Sequence, residues 1–121
     1  MKLNNDCIRD ILLYVEKNTT YEYPFASAED LISHLTQYDK DTINYHIRKA
    51  HQGGLIDAIN YRDGVPLDIS FLSWKGHEYI DTIRDDKVWG KLKDLTKDIA
   101  SVSLPLLVKL AEDVIKSFLA E

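Results

Sequence analysis

Apolar residues recur near the start of the chain at Ile8, Ile11, Leu12 and Val15, a spacing of three and four that puts them on one helical stripe. This predicts a first helix over roughly Asn5 to Asn18, with Asn5 as its N-cap. The pattern then changes period. In "TTYEYPFAS" (Thr19 to Ser27), Tyr21, Tyr23 and Phe25 alternate, and Pro24 holds Tyr23 out of the α region. That reads as a short edge strand. Ser27 and Asp30 resemble a capping box at the start of a second helix, which buries Leu31, Ile32 and Leu35. Asp39 caps a third helix from Lys40, whose inner face holds Ile43, Ile47 and Ala50, with His46 between them. Gly53 and Gly54 end it, because glycine adopts a left-handed C-terminal position without strain.

Two strands follow around "RDG". Leu55, Ile59 and Tyr61 share one face of the first; Val65, Leu67, Ile69 and Phe71 share one face of the second. A two-residue turn at Asp63-Gly64 would pair Leu67 with Asn60, mixing polar and apolar. A three-residue loop, Arg62 to Gly64, pairs Tyr61 with Val65 and Ile59 with Leu67, and is the expected register. Ser73 caps a fourth helix that buries Gly76, Tyr79, Ile80 and Ile83, with Gly76 expected where a neighbouring backbone comes close. Beyond it, Val88, Leu92, Leu95, Ile99, Val102 and Leu106 step by four and three, a heptad seam of coiled-coil type. Pro105 interrupts the seam, Ser103 restarts it, and a last helix, about Leu104 to Leu119, has a wide apolar face that requires a cover.

Charge narrows the function. The chain has 121 residues and a net charge of −5. Residues 1–84 carry 9 Lys/Arg against 13 Asp/Glu, and residues 85–121 carry 6 against 7. Nucleic-acid affinity comes largely from phosphate neutralisation, so only a local patch, and no whole-domain field, is available for it. Cys7 is the one cysteine, which excludes an internal disulfide and a thiolate metal cluster. His46 and His51 are five apart, on different helical faces, while His34 and His77 lie in other elements. No metal or cofactor is therefore expected. Phosphate loops and nucleophile motifs are absent, and Glu29, Asp30, Asp85 and Asp86 read as caps and solvated turns; the chain is not expected to be an enzyme. The aromatic set Tyr21, Tyr23, Phe25, Tyr61, Phe71, Trp74 and Tyr79 is expected to pack the core and hairpin. "MKLNNDCIRD" holds no apolar run fit for a signal peptide, and no stretch approaches the roughly 20 apolar residues of a membrane span. A cytoplasmic location is the expectation.

Helix, short strand, helix, helix, strand, turn, strand, helix is the order of a winged helix. The expected class is α+β, mostly α: a winged helix-turn-helix domain over 1–86 and a helical tail over 87–121 for dimerisation or packing. The stretches "MKLNNDCIRDILLYVE" with "NTTYE", "INYHIRKAHQGGLID", and "LSWKGHEYIDTIRDD" with Val88 and Trp89 go further. In them the chain resembles a domain-of-unknown-function family of small winged-helix proteins of Gram-positive bacteria and their prophages. The resemblance implies a fold and a mobile-element setting, and neither a reaction nor a catalytic residue.

The outer face of the third helix carries Asp41, Asn44, Tyr45, Arg48 and Gln52, with Lys49 at its edge. Asn and Gln match adenine edges and Arg matches guanine, while Lys40, Lys49 and Arg62 of the hairpin suit phosphates. These residues are the candidate double-stranded DNA site of a transcriptional regulator. The tail is expected to form a homodimer through Val88, Leu92, Leu95, Ile99, Leu106, Leu110, Val114 and Phe118, with folding back onto the first and fourth helices as the alternative. A competing function is a non-enzymatic docking module that binds a host or phage protein through the last helix.

Overall fold

A computed structural model describes residues 1–96 and 102–120. Its elements run α1 (Asn5–Asn18), β1 (Ala26–Ser27), α2 (Ala28–His34), α3 (Lys40–Gln52), β2 (Ile59–Arg62), β3 (Val65–Ile69), α4 (Trp74–Ile83), α5 (Asp86–Leu95) and α6 (Leu104–Leu119). The class is α+β and mostly helical, with one small antiparallel sheet in the order β1-β3-β2.

α1 to α5 start where short polar side chains satisfy their first amides, whereas Ser103 before α6 makes no such bond. Ser27 accepts from the Asp30 amide, Asp39 from Thr42 and Ser73 from Gly76, all at the expected positions. In α1 the cap is Asn4 and not Asn5: Asn4 Oδ1 accepts from the Cys7 amide at 3.2 Å, and Asn5 is buried inside the helix. Gly54 has φ 77°, so the turn after α3 closes on a left-handed glycine.

Three expectations need correction. First, Tyr21, Tyr23 and Phe25 form no strand. The Thr20 amide bonds the Tyr23 carbonyl at 3.0 Å and the Thr20 hydroxyl accepts from the Tyr23 amide at 3.0 Å, closing a local turn with groups a ladder would need. Only Ala26 and Ser27 pair with β3. Tyr21 and Trp74 are 95% and 83% exposed, so most of the aromatic set lies outside the core, which Tyr79 and Trp89 enter among aliphatic side chains.

Second, the hairpin uses the two-residue turn. Arg62 pairs with Val65, and Asp63 and Gly64 take φ 52° and 78°, a turn with both central residues left-handed. The polar mismatch this turn was expected to cause is removed by a bulge between Asn60 and Tyr61. Leu67 becomes the extra residue, Asn60 faces Asp68, and Ile59 faces Ile69. The inner face of β3 is consequently Pro66 and Ile69, while Val65 and Leu67 are exposed.

Third, the heptad seam is not one continuous helix. α5 ends at Thr96 in extended backbone, and α6 packs against α5 and α4 of its own chain. Val88, Leu92 and Val114 are buried in the same core as Ile11 and Ile80, joined by Leu107 and Ala111. These three residues are therefore unavailable to a second chain. Leu110 is half-buried; Leu95, Leu106 and Phe118 are exposed. Ile99 lies outside the described residues.

Two polar side chains join α1 to α4. Arg9 and Glu16 are two helical turns apart, on one edge of the apolar stripe. Arg9 Nε donates to the Ile83 carbonyl at 3.0 Å and its terminal nitrogen to the Arg84 carbonyl at 2.7 Å, capping the end of α4. Glu16 binds both terminal nitrogens of Arg84, and the His77 ring lies 3.6 Å from it. The Arg84 hydrogen bond holds the Glu16 carboxyl below its ordinary value of 4.5. A carboxylate whose pKa is depressed by folding contributes stability above its unfolded pKa, and that contribution is lost as pH falls through the folded value. Glu16→Gln should therefore flatten the acid limb of stability against pH below about pH 4.5, as measured by urea titrations across that limb. An unchanged limb would remove Glu16 from the acid response.

Candidate nucleic-acid interface

α3 is held firmly, which makes its outer face a fixed surface. Ile43, Ile47 and Ala50 are buried against α1, α2 and β3. His46, 1% exposed, anchors the helix by both ring nitrogens. Its Nε2 accepts from the Asn4 amide at 2.8 Å and its Nδ1 lies 2.7 Å from the Thr42 carbonyl. Because the Asn4 amide can only donate, Nε2 is the unprotonated nitrogen and Nδ1–H faces the carbonyl. His46 thus lies buried between Ile43, Ile47 and Ala50, as its spacing predicts.

The outward residues were placed by helical periodicity, and the structure finds them together. Lys40, Asp41, Arg48 and Gln52 are exposed; Asn44, Tyr45 and Lys49 are half-buried on the same helix. Lys49 Nζ donates to Gln52 Oε1 at 3.1 Å and lies 5.2 Å from the Tyr45 ring centre. Asn44 Oδ1 is buried and has no hydrogen-bond partner among the described residues. Arg62, exposed at the end of β2, sits beside the turn.

Arg48 has a different place from the one its sequence position suggests. Its terminal nitrogen donates to the Gly64 carbonyl at 2.6 Å, and its guanidinium lies 5.0 Å from the Tyr61 ring centre. It fastens the hairpin turn to α3, so helix and turn form one surface. Sequence reasoning missed Tyr61 as the other half of this joint; nothing in linear spacing links it to Arg48.

Among the described residues, Lys40, Arg48, Lys49 and Arg62 take part in no ion pair. Three exposed carboxylates lie among them: Asp39 and Asp41 flank Lys40, and Asp63 follows Arg62. Among the described residues of the tail, α6 packs on α4 and α5. Among the described residues, no group of three or more His, Cys, Asp or Glu is placed to hold a metal, and no helix is long and apolar enough to cross a membrane.

A mostly helical α+β chain with one small antiparallel sheet is the class that the fold defines. Within it, the chain belongs to the DUF2513 family of hypothetical proteins, whose family model matches residues 2–103. It is also similar to an uncharacterised protein of Haemophilus influenzae, with 36% identity over 123 residues, covering 99% of this chain and 100% of the relative. No solved structure matches it.

Proposed function

We propose that the chain is a winged helix-turn-helix protein of the cytoplasm that binds double-stranded DNA, without enzymatic activity, as a transcriptional regulator. α2 and α3 form the helix-turn-helix, α3 enters the major groove, and the β2–β3 hairpin is the wing. One observation carries this reading: Arg48 ties the hairpin turn to α3 while, among the described residues, Lys40, Lys49 and Arg62 take part in no ion pair. A rigid helix and wing with free cations match the two kinds of contact a duplex offers. Lys40, Lys49 and Arg62 are assigned to phosphates, and Tyr45 and Gln52 to base edges; Asn44, whose Oδ1 is buried, offers a base edge only its amide N–H groups. Arg48 is a positioning residue whose remaining N–H groups are free for a phosphate. The prophage or mobile-element setting is part of the proposal and rests on the family resemblance described above. The competing docking module, which would use the last helix, has less support, because Val114 of that helix is packed inside the chain.

The test is fluorescence anisotropy with a labelled duplex across a salt series. With three phosphate contacts removed, Lys40→Ala/Lys49→Ala/Arg62→Ala should lower the slope of log K against log salt by about 3 and weaken binding by roughly 30-fold or more at low salt. Circular dichroism should show the fold retained, since Lys40 and Arg62 are exposed and the half-buried Lys49 bonds only Gln52 of its own helix. No duplex binding by the natural chain at low salt, or an unchanged slope in the variant, overturns the proposal.

A further inference from the structure

α6 covers its inner face with α4 and α5, yet it leaves an open groove against α5 of about 380 Å³. Leu95, Leu110 and Phe118 supply its apolar lining, with the buried Val114 at its floor. Leu95 is 57% and Phe118 38% exposed. Clustered large apolar side chains left in water mark a surface with a partner. The rim shows which partner. Lys91 on α5 and Asp113 on α6 both line the groove, both are exposed, and neither is in an ion pair among the described residues. An apolar strip with one positive and one negative flank is complementary to itself under a two-fold rotation: Lys91 of each copy meets Asp113 of the other.

We infer that a second copy of this chain docks in the α5–α6 groove as a two-fold dimer. Phe118 of each copy enters the other's groove, and two Lys91–Asp113 pairs set the orientation. The apolar side chains supply affinity. The charges supply register, because like charges brought together at either rim oppose the pairing. This goes beyond DNA binding and requires none of it, so it stands or falls without DNA present.

The test is sedimentation velocity of the full chain without DNA, up to about 200 µM. The natural chain should sediment as a dimer. Leu95→Asp/Phe118→Asp should be monomeric with its helical content and melting temperature near the natural values, as both side chains are exposed in the folded chain. Lys91→Asp alone and Asp113→Lys alone each place like charges at both rim contacts and should weaken dimerisation by about tenfold or more. Mixed together, those two variants place opposite charges at both contacts, and a mixed dimer should form. A monomeric natural chain, a dimer that survives the double apolar substitution, or a mixture that stays monomeric overturns the inference.

Discussion

Gly76→Ala should destabilise the fold by about 2–4 kcal/mol, although the same exchange in an open helix would stabilise it by roughly 1 kcal/mol. The sign reverses because of what lies over the position. A Cβ on Gly76 would collide with the Leu55 carbonyl oxygen and come within 3.0 Å of the Leu55 carbonyl carbon and 3.3 Å of Leu72 Cβ. The obstacle is backbone, and it is fixed from two sides. The Leu55 amide bonds the Ala50 carbonyl at 2.9 Å, and the Leu55 carbonyl accepts from the Ser73 amide at 3.0 Å. Ser73 also caps α4 through the Gly76 amide at 3.0 Å and bonds the Gly54 carbonyl. Relief of the collision would therefore pull α4 off the turn that ends α3, and several hydrogen bonds would be lost together. Gly90 provides the contrast. It lies within α5 and an added Cβ would meet nothing within 4 Å, so Gly90→Ala should stabilise by about 0.5–1 kcal/mol. Urea unfolding of both variants reads the difference. A Gly76→Ala protein as stable as the natural chain would mean that α4 does not sit against Leu55.

That close approach was legible in the sequence, because a glycine inside an otherwise good helix has few other reasons to be there. The helix starts at Ser27, Asp39 and Ser73 were legible for a similar reason: each is a local bargain between one side chain and the next few amides. What failed had no local signature. The hairpin register was expected to follow from the turn alone, but Leu67 as an extra residue corrects the pairing further along the strands. The steps from Val88 to Leu106 fit a helix against a copy of itself, and Val88 and Leu92 equally well fit a helix packed in its own core. Spacing gives the buried face and leaves its partner undetermined. The candidate site divides in the same way. Periodicity alone grouped Asp41, Asn44, Tyr45, Arg48 and Gln52 on one face of α3. The joint from Arg48 to Tyr61 and Gly64 depends on how the hairpin lies over the helix, which no one-dimensional pattern contains. Physically, a charge at the margin of an apolar stripe reads as solvated, and Arg9 was hidden by that ambiguity.

Arg9→Met should cost about 3 kcal/mol, the largest effect expected of any single polar side chain here. Methionine keeps most of the aliphatic stem and removes the guanidinium. The side chain of Arg9 is 9% exposed, and its guanidinium lies 5.4 Å from the Trp89 ring centre, beneath the junction of α4 and α5. Without it the Ile83 and Arg84 carbonyls at the end of α4 lose their side-chain donors, one of them in a buried setting. Trp89 would lose a cation from its face but keep the 2.7 Å hydrogen bond from its indole N–H to Asp6, so α5 should loosen without detaching. The ion pair with Asp86 is the minor part. Asp86 is 97% exposed, its attraction is screened by water, and Asp86→Asn should change stability by less than about 0.5 kcal/mol. Arg9→Lys separates charge from geometry: a single ammonium cannot reach both carbonyls as the planar fork does, so it should recover less than about half of the loss. Urea midpoints for the three variants decide the matter. If Asp86→Asn matches Arg9→Met, the salt bridge holds the α4–α5 junction; if Arg9→Met alone is severe, the work is done by hydrogen bonds to a helix end that would otherwise be left open.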